Sequence, residues 1–188
     1  VRSAIDIRPA VVAELGELGE LAARAGSPDA AEGQLDVVLA TGRLLVATAS
    51  GVPVGVAGSL PIGDATFVSD LFVEPDRQGE GIGGLLLGAL LIGGGAFVTF
   101  SSRHPAAARL YARHGMDARG EVSYLSRDGQ TRYVVDGSPL GRHLLDAAWS
   151  VVDSDIVMAT PDWQWPTGLD EVSPGRFWPN APDTSPSE

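Results

Sequence analysis

The chain has 188 residues, 44% hydrophobic and 20% charged, enough for one domain with a sizeable core and barely enough for two. It contains no cysteine, which excludes disulfides, thiolate metal sites and cysteine nucleophiles and gives secretion no support. The formal net charge is −11, which argues against nucleic acid, since phosphate contacts need a basic face. It favours cationic substrates such as amines, solubility being the bland alternative.

In chain order, Ala4 to Arg8 reads as a strand ended by Pro9. Val12, Leu15, Leu18, Leu21 and Ala22 recur at helical spacing and predict a helix over Val11 to Ala25. Val1 to Arg24 is charged and amphipathic and lacks the apolar run of a signal peptide, so a cytoplasmic location is expected. A weaker helix is predicted from Ala30 to Ala40. Arg43 to Ala49 and Val54 to Leu60 flank Ser50-Gly51 and read as a hairpin. Ala65 to Val73 is a third strand of this meander, stopped by Pro75.

From Gly81 to Ser102 no residue is charged, and by length this stretch passes for a membrane span. Gly93, Gly94 and Gly95 break it, each costing about 1 kcal/mol in a helix relative to alanine. A buried helix, Ile82 to Ile92, capped by Gly93 is the better reading, with no membrane association. Ala96 to Ser101 is a strand, and Pro105 to His114 is a helix with proline first and Gly115 past its end. Ser123 to Ser126 and Thr131 to Val135 flank Asp128-Gly129, a second hairpin. Leu140 to Val152 reads as helical. Thr160 to Glu188 holds six prolines and three of the four tryptophans and is irregular. Meander, then strand–helix–strand–helix, predicts an α/β fold with a mixed sheet covered by helices.

Chemistry concentrates between Asp70 and Gly84, where a strand ends at Pro75 and a helix opens near Gly83 with Gly79, Gly81, Gly83 and Gly84 between. Glycine lets the backbone approach a ligand, and unpaired N–H groups at a helix start suit a pyrophosphate. The phosphate-loop motif needs lysine, and all 13 basic residues here are arginine. Gly79-x-Gly81-x-x-Gly84 matches the dinucleotide string, but the strand before it follows hairpins and no acidic residue follows about 20 positions on.

Leu71-Phe72-Val73-x-Pro75 followed by Gln78-Gly79-Glu80-Gly81-Ile82-Gly83 resembles the Arg/Gln-x-x-Gly-x-Gly/Ala motif of the GCN5-related N-acetyltransferase (GNAT) superfamily. Ser102 to Met116 resembles the family's second motif, Asn-x-x-Ala-x-x-Leu-Tyr-x-x-x-Gly-Phe, with His104 and Met116 replacing the usual Asn and Phe. The resemblance covers Ile5 to Val135, and the absence of lysine among 24 glycines suggests a member from a GC-rich bacterium.

Beyond the reach of the resemblance the sequence predicts an extra C-terminal helix and a Pro/Trp-rich extension; within it, the resemblance implies a mostly antiparallel twisted sheet flanked by helices. It implies a catalytic domain over 1–137; beyond it, 138–182 would pack on the core or across a homodimer and 183–188 would be a disordered tail. It implies acetyl-CoA as acyl donor and a small primary amine as acceptor, with no metal and no nucleic acid. The backbone of Leu71, Phe72 and Val73 would pair with the pantetheine. Gln78, Gly79, Glu80, Gly81, Ile82, Gly83 and Gly84 would hold the pyrophosphate, and His104 would take the Asn position beside the pantetheine. Tyr111 would be the general acid for the departing thiolate, or else a core aromatic. Asp70 would be the base, or else a solvated or hydrogen-bonded carboxylate. Of Arg77, Arg103, Arg109 and Arg113, one or two would meet the phosphates. His104, His114 and His143 lack metal spacing, and Ser101-Ser102 reads as a helix cap rather than a nucleophile. A catalytically silent acyl-CoA sensor and a protein amino-group acetyltransferase are the rival functions.

Overall fold

The computed structural model describes residues 4–27 and 33–165. The chain forms two compact units that divide between Thr99 and Phe100.

The first unit is built on strands β1 (Ile5–Pro9), β2 (Arg43–Ala49), β3 (Val52–Ile62), β4 (Ala65–Val73) and β5 (Ala96–Ser101), the last crossing the unit limit. They lie in the order β1-β2-β3-β4-β5, antiparallel except for parallel β4 and β5. Ser50 and Gly51 both take positive φ, 52° and 83°, the two-residue turn whose twist suits a hairpin.

Helices α1 (Leu15–Arg24), α2 (Gln34–Thr41) and α3 (Ile82–Leu90) cover this sheet. A Cβ on Gly55 would meet Leu86 Cδ1 of α3 at 3.0 Å, and one on Gly58 would meet Val38 Cγ1 of α2 at 2.8 Å. The two glycines are three apart in one strand, so they face opposite sides and the two helices sandwich the sheet. α3 buries Ile82, Leu86, Leu87 and Leu90, the i, i+4, i+5, i+8 stripe that a core-facing helix needs.

Two helix limits differ from expectation. The first helix starts at Leu15, because Glu14 accepts the Val11 N–H at 2.9 Å and pairs with Arg8, holding Val12–Glu14 in a 3₁₀ turn that leaves Val12 exposed. α3 stops at Leu90, short of Ile92, and Gly93, Gly94 and Gly95 all take positive φ. Among the described residues no helix is long and apolar enough to cross a membrane.

The second unit contains α4 (Pro105–Arg113), β6 (Asp117–Arg127), β7 (Gln130–Val135), α5 (Pro139–Asp146) and β8 (Ser150–Ala159), its strands antiparallel in the order β8-β6-β7. Asp128 and Gly129 form the predicted turn with φ of 52° and 81°. The helix expected over Leu140 to Val152 is corrected: it ends at Asp146, and Val151 and Val152 belong to β8. Ala148 reverses the chain at φ 65°, and Trp149 drops into a cluster with Leu125, Val134 and Leu144. The β-branched run that follows pairs along β6, which satisfies its backbone as no isolated helix would.

The segment from Ser138 to Trp165 thus adds α5, β8 and a short irregular stretch in which Trp163 is buried and Trp165 donates to the Arg119 carbonyl at 3.1 Å. Trp178, the remainder of the 138–182 extension and the 183–188 tail lie outside the described residues.

Candidate functional site: a buried carboxyl, an open strand edge and a glycine loop

β4 carries a bulge. Gly58 faces Asp70 and Ser59 faces Val68, so Ser69 is the extra residue. A bulge rotates its two residues toward one side of the strand, and here the Ser69 hydroxyl donates to Asp70 Oδ2 at 2.6 Å. The Gln34 amide, at the start of α2, donates to Asp70 Oδ1 at 2.8 Å. Asp70 is only 2% exposed. Burial pushes its carboxyl up to about 6, against the two hydrogen bonds that favour the ionised form. Gly58 makes room for this arrangement, since a Cβ there would lie 2.9 Å from Asp70 Oδ2 and 3.0 Å from Ser69 Oγ.

The bulge also marks where β4 and β5 part. Their parallel pairing covers Ala65 to Phe67 on β4, and the Thr99 hydroxyl donates to the Val68 carbonyl at 2.8 Å. Leu71, Phe72 and Val73 pair with β3 on one edge. Among the described residues β5 offers their other edge no ladder, and an extended amide-bearing chain fits such an edge by strand addition.

Glu74 is tied to Arg24 at the end of α1 by an ion pair of 2.5 Å. A 3₁₀ turn, Pro75–Arg77, then leads into the glycine loop. The Gln78 side chain donates to the Val73 carbonyl at 3.2 Å and so folds the loop back on the strand end. Gly79 and Gly81 take φ of 83° and 90°, with nothing within 4 Å of an added Cβ. Gly81 is the N-cap of α3, with no side-chain cap and no acidic residue in the first turn. Leu85 N–H donates to Gly81 O at 3.1 Å, and helix geometry gives the amides of Ile82 and Gly83 no intrahelical partner. The positive end of the helix dipole adds to these donors, and the arrangement can hold an anion such as a pyrophosphate.

The first unit therefore brings together Asp70, the edge Leu71 to Val73 and the loop Gln78 to Gly84. Arg77 donates to Glu80 from Nε at 2.9 Å and from Nη2 at 2.8 Å, which neutralises the loop's one carboxylate.

In the second unit, His104 is the N-cap of α4 and Tyr111 lies in its last turn. Tyr111 is buried. His104 is exposed, and its Nδ1 accepts the Ala106 N–H at 3.3 Å. The cap expected from Ser101-Ser102 is thus supplied by His104, because Pro105 opens the helix directly after it. Arg103 is engaged by Glu121 and by Ser154 Oγ, whereas Arg109 and Arg113 are exposed and make no ion pair among the described residues.

Gln34 and Ser69 escaped the sequence reading, as did a contact in the second unit between Tyr124 and Asp155. There the Tyr124 hydroxyl donates to Asp155, and burial raises the titration of both groups. Among the described residues no group of three or more His, Asp or Glu is placed to hold a metal.

Residues 40–115, which include Asp70, the edge, the loop and Tyr111, match the family model for the acetyltransferase (GNAT) domain. No curated protein matches the sequence. The fold is similar to that of the ribosomal-protein-S18-alanine N-acetyltransferase of Escherichia coli, at 19% identity and a TM-score of 0.59, covering 88% of this chain and 99% of that one. A GNAT family acetyltransferase from Bacillus cereus is similar at 13% identity and a TM-score of 0.60, covering 86% and 99%. A GNAT family acetyltransferase from Elizabethkingia anophelis, solved with acetyl-CoA bound, is similar at 16% identity and a TM-score of 0.55, covering 83% and 97%. Residues 40–115 thus match the GNAT acetyltransferase domain, and the chain has the mixed, mostly antiparallel fold of those structures.

Proposed function

We propose that the protein moves an acetyl group from acetyl-CoA to a primary amine of a small molecule. The observation that carries the reading is the start of α3, which no side chain caps, reached through a 3₁₀ turn and two positive-φ glycines from a strand edge that β5 leaves unpaired among the described residues. The loop amides from Gln78 to Gly84 hold the pyrophosphate, and Leu71, Phe72 and Val73 pair with the pantetheine amides. Asp70 takes the amine proton as the nitrogen attacks the thioester. At about 6 its carboxyl is roughly 90% ionised at pH 7, so it is free to accept. Tyr111 gives its phenolic proton to the departing thiolate, a match of two weak acids of similar strength. His104 lines the pantetheine from the start of α4.

The acidity of the chain supports a cationic acceptor, since a net charge of −11 raises the local concentration of ammonium compounds. The same proposal has the 138–182 extension packing on the core or across a homodimer. What supports an ordered extension is the burial of Trp149 and Trp163 and the seat of Trp165 over Gly120, with Trp165 Cζ2 at 3.2 Å from an added Cβ. A cytoplasmic location belongs to the same proposal, because acetyl-CoA is held there.

The similar Escherichia coli enzyme is named for a ribosomal-protein alanine, so the acceptor class is the point to separate. Release of CoA from acetyl-CoA should accelerate with small primary amines and not with unfolded peptides bearing a free α-amino group. Faster release with the peptides than with any small amine would transfer the reading to a protein acetyltransferase. Binding of acetyl-CoA with no release to either class would leave a sensor.

A further inference from the structure

We propose that Ser69 is a catalytic residue: its hydroxyl touches the acceptor amine and relays the amine proton to Asp70, which Gln34 holds in place. The inference rests on the acetyl-transfer reading above and names the group through which that reading works.

The geometry leaves the amine proton one route to Asp70. The carboxyl is 2% exposed, so an amine large enough to be an acceptor does not reach it directly. Both its oxygens are engaged, Oδ1 by the Gln34 amide at 2.8 Å and Oδ2 by the Ser69 hydroxyl at 2.6 Å. An amide N–H donates and takes up no proton, so Gln34 is a positioning residue. A hydroxyl donates one proton while accepting another, and Ser69 is half-buried where Asp70 is buried. The bulge explains the placement. Regular pleating would send neighbouring side chains to opposite faces, and the extra residue at position 69 brings the hydroxyl round to the carboxyl.

The step balances. The amine nitrogen forms a bond to the acetyl carbon and loses a proton to Ser69 Oγ, while Ser69 passes its own proton to Asp70 Oδ2. The carbon–sulfur bond breaks, and the thiolate takes a proton from the general acid. Asp70 then returns its proton to solvent through Ser69. No other charge interferes among the described residues: α1, α2, β3 and β5 place no ionised group that moves the titration of Asp70, which is governed by burial and the two hydrogen bonds alone.

The test compares wild type, Ser69→Ala, Ser69→Thr and Asp70→Asn with acetyl-CoA and the best small amine, and follows Asp70 by carbon-13 NMR titration of its carboxyl. Ser69→Ala should lower kcat about 10²-fold or more and leave KM for acetyl-CoA unchanged. It should also move the Asp70 titration upward, since a bond that favours the ionised form is gone. Ser69→Thr, which keeps the hydroxyl, should recover most of both. A Ser69→Ala protein that turns over like wild type beside an inactive Asp70→Asn overturns the relay alone and leaves acetyl transfer standing. A wild-type protein that acetylates no amine, with Asp70 titrating identically in wild type and Ser69→Ala, overturns both.

Discussion

Asp70→Asn should abolish the acidic limb of the rate profile and lower kcat/KM for the acceptor by roughly 10²–10⁴-fold at neutral pH. The wild-type profile should rise through an apparent value near 6, where burial has moved the carboxyl. Stability should change in the opposite direction to activity. The folded carboxyl titrates above its ordinary value of 3.8, so the folded state holds its proton more tightly than the unfolded chain. Its contribution to stability is therefore fully present below about 3.8 and lost as pH rises to about 6, a loss of about 3 kcal/mol in all. Asn does not ionise, so denaturant unfolding at pH 4 and pH 7.5 should show the difference between the two proteins changing by about 2 kcal/mol, most of that amount. A wild-type rate profile flat from pH 5 to 8, with parallel unfolding curves, would remove Asp70 from the reaction.

Tyr111→Phe is expected to lower kcat by roughly 10²–10⁴-fold while acetyl-CoA affinity stays constant, because an acid used only in the transition state contributes to rate and not to binding. Phe keeps the ring, so the buried packing of Tyr111 in α4 survives and the melting temperature should change little. Pre-steady-state measurement of CoA release separates the two steps. Undiminished release in the variant would make Tyr111 a core aromatic.

The limits of β4 and β5 were readable because punctuation surrounds them. Pro75 stops one, and Gly93 to Gly95, all at positive φ, precede the other. β8 was not readable. Its residues follow a helical run with only Ala147, Ala148 and Trp149 between, and its pairing with β6 is a tertiary fact that local periodicity does not carry. The glycine loop could be read from spacing alone, since φ of 83° and 90° at Gly79 and Gly81 demands that residue type. Asp70 was legible as a carboxyl at a strand end, but its partners were not. Gln34 reaches it from 36 positions away, and Ser69 does so only because a bulge breaks the alternation. The arginines illustrate the same limit: Arg77 and Arg103 look available in the sequence, and folding commits them to Glu80 and Glu121.

The central claim is that the amides opening α3 bind the pyrophosphate of acetyl-CoA. Thermal unfolding with and without acetyl-CoA, in wild type and Gly81→Val, tests it most directly. At about 100 times its dissociation constant acetyl-CoA should add roughly 2.7 kcal/mol to wild type, and NADH or ATP should add little. Valine at φ 90° is strained in a position open to solvent, so the variant should stay folded and lose the acetyl-CoA increment. An increment of equal size in Gly81→Val, or none in wild type with any acyl-CoA, would contradict the account.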